Sequence, residues 1–184
     1  MIVLGIDPGH STGIALYGSD GLICRTATWG EDGAAVYDIL RPLVMLARGA
    51  DGKNDVLAVV EMPAPAYFPR KKVSQRTNYK IAMDVGQCAQ KAAMLAGFLR
   101  GLGLEVVEQK PLRGGTKRRI TVPMWKAMFP EYKGRTSNHA RDAAVIAQRE
   151  YQRRKSLPGE SGLFVGKEEV GTKHSNASVA WQRS

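Results

Sequence analysis

The sequence predicts an α/β fold in which a mixed β-sheet is flanked by helices. It opens with three short strands separated by tight turns, at 1–6, 14–17 and 22–29. A continuous apolar run, VLAVV at 56–60, is typical of a strand covered on both faces. A long amphipathic helix and a last strand, LEVVEQ at 104–109, follow. These observations predict an antiparallel meander continued by strands that alternate with helices.

Composition and charge restrict the class of protein. The 184 residues are 43% hydrophobic, which suits one domain with a proper core. A formal net charge of +10 indicates a polyanionic partner, with nucleic acid first and an anionic membrane second. No apolar stretch approaches the ~20 residues of a spanning helix, and the N-terminal run is too short and lacks the basic start of a signal peptide. We therefore expect a soluble cytoplasmic protein.

Four helices are predicted by apolar spacing and by capping residues. The first covers 34–47, where Pro42 is expected to kink or interrupt it. The second runs from a cap at Thr77 or Asn78 to about Leu102. A short third helix at 123–129 is opened by its proline, and the fourth is alanine-rich and follows the cap candidates at 136–138.

Smaller features of these elements also carry predictions. Trp125 and Phe129, four residues apart, are interpreted as core anchors rather than as a stacking site. The cysteines at 24 and 88 lie in apolar patterns and are expected to be reduced packing residues. Small residues at 86, 93 and 97 allow close approach of another helix, within the fold or across a dimer.

Three acidic positions stand where elements begin or end. Asp7 follows the first strand and Glu61 follows VLAVV, while His139 and Asp142 lie three apart on one face of the last helix. Each has an alternative structural interpretation: Asp7 could cap its own turn, Glu61 could be an acid at the edge of the sheet, and His139 and Asp142 could form a local hydrogen-bonded pair. A carboxylate left unpaired beside a buried strand costs several kcal/mol, so Glu61 must be solvated, paired or bound to a metal.

Two basic segments flank these positions. The stretch 62–78 suits a mobile flap in which basic side chains bind phosphates and an aromatic ring stacks on or inserts between nucleobases. Its candidate DNA-binding residues are Tyr67, Phe68, Arg70, Lys71, Lys72 and Arg76. The second segment, 110–126, contains the candidates Lys117, Arg118 and Arg119. The alternative for each segment is a solvated loop, and 155–184 is expected to be a flexible tail.

The order of elements and motifs resembles the ribonuclease H-like fold and, more closely, the RuvC family of Holliday junction resolvases. The resemblance rests on GIDPGHSTGIAL at 5–16, VVEMP at 59–63, Gly86 and Gln87 in the long helix, and SNHARDAA at 137–144. It covers about residues 1–154 and implies a five-stranded mixed sheet. The three motifs in this order are specific together.

The resemblance implies a metal-dependent endonuclease. Asp7, Glu61 and Asp142 occupy the positions of the carboxylates that bind two divalent metal ions in the family, and His139 the place that members fill with Asp or His. We expect Mg²⁺ or Mn²⁺, a homodimer whose two sites nick opposite strands of a four-way junction, and no small-molecule substrate.

The sequence departs from the family pattern in both basic segments. The flap is rich in proline and bases, and GGTKRR precedes a proline-led helix, so the match of Lys117 to the family's phosphate-contacting lysine is open. Such departures would fit a divergent phage or prophage member. The alternatives are a non-catalytic junction-binding scaffold, a nuclease for other branched DNA, and an actin-like or sugar-kinase ATPase, which needs two duplicated halves.

Overall fold

The chain folds into one five-stranded sheet with helices on both faces, and the predicted fold class is confirmed. The computed structural model describes residues 1–30, 33–49, 52, 55–63, 74–111 and 120–157. The strands are β1 (Ile2–Asp7), β2 (Ser11–Gly18), β3 (Gly21–Thr28), β4 (Val56–Glu61) and β5 (Glu105–Gln109). The helices are α1 (Ala34–Arg48), α2 (Gln75–Gly101), α3 (Val122–Met128) and α4 (Asn138–Lys155).

The sheet order is β3-β2-β1-β4-β5. The first three strands form an antiparallel meander, whereas β4 pairs parallel to β1 and β5 parallel to β4. The carboxyl ends of β1, β4 and β5 therefore lie at one edge. This edge carries the acids that the sequence singled out.

Alternation along the strands separates two cores. On one face Leu4, Ile6 and Val60 pack with α1 and α2. On the other face Val3 and Val59 pack with α4. Because side chains alternate along a strand, the positions in phase with Val3 and Val59 all point toward α4.

Two helix predictions need correction. Of the two effects expected of Pro42, a kink or an interruption, the interruption is absent from helix α1: Pro42 is exposed, and Leu43 and Val44 beyond it remain buried. Their burial offsets the cost of about 3 kcal/mol that a proline imposes inside a helix. Helix α2 begins earlier than predicted, because the hydroxyl of Ser74 accepts a hydrogen bond from the Thr77 amide and caps it.

Other packing predictions hold. Trp125 and Phe129 are buried, with their ring centroids 4.5 Å apart. Both cysteines are free thiols, and burial raises the pKa of Cys24 to about 12. Of the described helices, none combines the length and apolar character that crossing a membrane requires.

Candidate metal centre

Asp7 and Glu61 end neighbouring parallel strands on the same face of the sheet. The last β1–β4 pair in register is Ile6 with Val60, so the two acids are the next residues on each strand. Each is in phase with the residues that pack against α4. Strand pairing therefore directs toward one helix two carboxylates that are 54 residues apart in the chain.

Helix α4 begins at this edge with a defined cap. Ser137 accepts a hydrogen bond from the Ala140 amide at 3.0 Å, and its hydroxyl lies 2.6 Å from that of Thr26 on β3. The cap predicted from the sequence is thus tied to the meander. It fixes where the first turn of α4 lies on the sheet.

The first turn of α4 brings His139 against Asp7. The His139 Nδ1 lies 2.7 Å from the Asp7 Oδ2, with side chains 45% and 16% exposed respectively. The imidazole can therefore meet solvent or a ligand while the carboxylate fixes its orientation. These residues are 132 positions apart in the chain.

Two glycines allow α4 to approach the sheet this closely. A Cβ on Gly13 would lie 1.9 Å from the His139 carbonyl oxygen, and one on Gly5 would lie 2.2 Å from the Ala143 carbonyl oxygen. Gly13 also pairs in register with Asp7. The glycines of the first motif therefore serve helix packing beside the acid as well as the turn.

Asp142 lies one turn after His139 on α4, half-buried. The structure brings Asp7 and His139 into contact, whereas Glu61 and Asp142 are placed by their elements at the same edge. Within the described ranges, no group of three His, Cys, Asp or Glu side chains is close enough to hold a metal ion.

The donor set nevertheless fits a hard divalent cation. Carboxylates on β1, β4 and α4 supply the oxygen ligands that Mg²⁺ and Mn²⁺ prefer, and one imidazole is compatible with Mn²⁺. The Asp7–His139 pair is already oriented. No thiolate is among these residues, which disfavours a structural zinc site.

Arg141 is a residue of this region that sequence analysis missed. Although charged, it is buried, and its Nε donates to the Ile120 carbonyl oxygen at 2.9 Å. Its terminal nitrogens donate to the Thr136 carbonyl and hydroxyl oxygens, at 3.3 and 3.2 Å, and to the Asn138 Oδ1. One guanidinium thus joins the first turn of α4 to the segment before α3. The only signal in the sequence was an arginine inside an alanine-rich stretch.

Most of the predicted DNA-binding residues lie outside the described residues. These are Tyr67, Phe68, Arg70, Lys71, Lys72, Lys117, Arg118 and Arg119, together with most of the predicted tail. Arg76 is described, and it lies exposed in the first turn of α2 rather than in a flap. This is a correction of the predicted boundary, and its cause is the cap at Ser74.

Comparisons with known proteins give a likeness of fold. No family model matches the chain, and no curated protein matches it significantly. Among solved structures, it is similar to T. thermophilus RuvC in complex with a Holliday junction substrate, at a TM-score of 0.47 and 19% identity. The match covers 85% of this chain and 97% of that chain. At these values the likeness does not assign an activity or a ligand to this protein.

Proposed function

We propose that this protein is a metal-dependent endonuclease that resolves four-way DNA junctions by paired, symmetrical nicks. The contact between Asp7 and His139, beside the strand end that carries Glu61, is the observation that supports this most directly. The proposed nuclease domain spans residues 1–154 and acts on DNA in the cytoplasm.

The proposed site uses four side chains. Asp7 would hold the metal ions together with Glu61, His139 and Asp142. A pair of bound Mg²⁺ or Mn²⁺ ions would supply charge neutralisation for the attacking and leaving oxygens of an in-line phosphodiester hydrolysis. The products are a 3′ hydroxyl and a 5′ phosphate.

The Asp7–His139 contact gives the imidazole one of two roles. Either His139 is itself a ligand, or it accepts the proton of the attacking water. In both cases Asp7 holds the ring orientation through Nδ1, at 2.7 Å. Arg141 supports the same geometry, because it anchors the residues that precede α4.

Binding to the junction is proposed to depend on the two basic segments. The first, 62–78, follows β4, and the second, 110–126, contains Ile120, whose carbonyl oxygen accepts a hydrogen bond from Arg141. Their basic side chains would contact phosphates, and Tyr67 or Phe68 would enter the junction. Since each phosphate contact releases counterions, affinity should fall steeply with salt.

A homodimer is proposed because paired nicks require two sites. The outer face of α2 offers a surface for it, where Tyr79 is 69% and Met83 46% exposed. A Cβ on Gly86 or Gly97 would meet no atom within 4 Å, so another helix could approach closely here. Light scattering of the free protein and of its junction complex tests the dimer; a monomer in both would exclude paired nicking by one assembly.

The experiment that tests the activity compares cleavage of a synthetic four-way junction with duplex, flap and single-stranded DNA in Mg²⁺ or Mn²⁺. Asp7→Asn should abolish nicking, whereas Asp38→Asn, an equal change at an exposed position of α1, should leave it unchanged. Junction binding without cleavage would favour the scaffold instead. Equal cleavage of every substrate would indicate a general nuclease.

A further inference from the structure

A polar groove runs between α2 and the turn that joins β1 to β2. Its volume is about 630 Å³, within the range of about 300–1,000 Å³ typical of small-ligand sites. The side chains that line it include His10, Trp29, Gln87, Gln90, Lys91 and Met94. No acidic residue is among the described residues of this lining.

The groove adjoins the candidate metal centre. His10 stands three residues after Asp7, and its carbonyl oxygen accepts a hydrogen bond from the Trp29 amide at 2.7 Å. A Cβ built on Gly9, between them, would lie 3.8 Å from the Cε1 of His139. The turn thus contributes His10 to the groove and places Gly9 beside His139.

Helix α2 presents one polar face to the groove. Gln87, Gln90, Lys91 and Met94 have the spacing of a single helix face. The Lys91 ammonium lies 5.6 Å from the centroid of the Trp29 ring, so a cation–π interaction orients this cation beside the groove. This face adjoins the outer one proposed for the dimer: at about 100° of rotation per residue, Gln90 points about 20° from Tyr79, whereas Lys91 points about 120° from it.

The chemistry of this lining matches one nucleotide. Lys91 and His10 can contact a phosphate, while the two carboxamides can donate to and accept from the edge of a nucleobase. Met94, which is 44% exposed, supplies apolar surface for the base or the sugar, and the largely buried Trp29 borders the groove beside it. A small anion alone would leave the carboxamides and the apolar surface unused.

We infer that this groove is a strand-binding subsite that holds the nucleotide next to the scissile phosphate, with Lys91 on its phosphate and Gln87 and Gln90 on its base edge. The inference rests on the proposed function and adds to it a source of sequence preference. The basic segments would contact phosphates wherever they lie, whereas the carboxamides distinguish one base from another.

Binding measurements test the subsite without cleavage. Fluorescence anisotropy with a labelled four-way junction in Ca²⁺ should show Lys91→Gln weakening binding about fivefold and reducing the salt slope by about 1. Lys91→Arg should retain most of the affinity. Arg149→Gln removes an equal charge from an exposed position on α4, ten residues and so about 15 Å of helix from His139, and should have little effect.

Two further experiments locate the base contact. Gln87→Ala combined with Gln90→Ala should reduce any preference among junctions of different sequence by about tenfold, a change that a loss of phosphate contact would not produce. A photo-crosslinker introduced at position 87 should label nucleotides adjacent to the crossover. Circular dichroism and urea unfolding of each variant establish that it is folded.

The outcomes separate this inference from the proposed function. Wild-type nicking with unchanged affinity, preference and salt slope in the variants would overturn the subsite and leave the nuclease standing. If the variants bind weakly and the crosslinks lie at the crossover, but the wild-type protein nicks no junction in any metal, the subsite would be supported and the nuclease overturned. Crosslinks only to nucleotides far from the crossover would also overturn the subsite.

Discussion

Replacing Gly13 with alanine tests the physical basis of the candidate site. The new Cβ would lie 1.9 Å from the His139 carbonyl oxygen and 2.8 Å from the Ala140 amide nitrogen. To restore an ordinary contact of about 3.4 Å, the first turn of α4 must retreat by about 1.5 Å. The obstructing atoms belong to backbone, so no side-chain rotation relieves the overlap.

The expected effects follow from this displacement. The Asp7–His139 contact, now 2.7 Å, would exceed the limit of about 3.2 Å for a hydrogen bond. Overpacking of this kind costs about 1–3 kcal/mol of stability. A misplacement of about 1 Å in a catalytic group can cost about 100-fold in rate, so nicking should fall at least that far.

Urea unfolding measures the stability loss, and single-turnover nicking of a four-way junction measures the rate. The matched control is Gly101→Ala, because a Cβ at the end of α2 meets no atom within 4 Å and the helix should change in stability by less than about 1 kcal/mol. Unchanged stability and an unchanged nicking rate in Gly13→Ala would refute the close approach of α4 to β2.

Three further predictions concern groups other than the four proposed metal ligands. Arg141→Met removes the buried hydrogen bonds to Ile120 and to the segment before α4. In urea titrations it should lower the free energy of unfolding by about 2–4 kcal/mol, and a loss below about 0.5 kcal/mol would contradict the anchoring role. Hydrogen bonds from Arg153 hold the pKa of Glu150 below its ordinary value, with Arg154 contributing, so the unfolded chain binds a proton more readily. This stabilisation is fully present above about pH 4.3 and is lost as the pH falls through the lower folded-state pKa. Glu150→Gln should therefore lower the free energy of unfolding by about 1–3 kcal/mol at pH 7 and by much less near pH 3. An equal loss at both pH values would contradict the prediction. With an aromatic disulfide reagent at pH 8, one thiol should react in the folded protein and the second only in urea, because the thiol at position 24 is buried with a pKa of about 12 and the one at 88 is only half-buried; two fast thiols would contradict the packing.

The elements of the sheet were predictable because their signals are local. VLAVV predicted β4 to within one residue, and Ser137, one of the three predicted cap candidates, caps the alanine-rich helix α4. Boundaries set by a neighbouring segment were predicted less well. Ser74 caps α2 before the expected residue, and α1 continues through Pro42 because burial beyond it outweighs the backbone cost.

The identity of the candidate site residues was also a matter of sequence, whereas their contacts were not. Asp7, Glu61 and the fourth helix were noticed because acids follow buried strands and a His and an Asp share a helix face. Whether any of them touch depends on strand pairing and helix packing across more than a hundred residues. The structure places His139 in direct contact with Asp7, 132 residues away in the chain.

The sequence by itself determined the α/β class, the order of elements and the residue types that suit a divalent cation, because period, capping and composition act over a few residues. Only the tertiary structure decided that the glycines at 5 and 13 admit α4 to the sheet, that Arg141 anchors its first turn, and that a polar groove adjoins Asp7. The physical reason is that each of these depends on the packing of segments far apart in the chain, which no local pattern records.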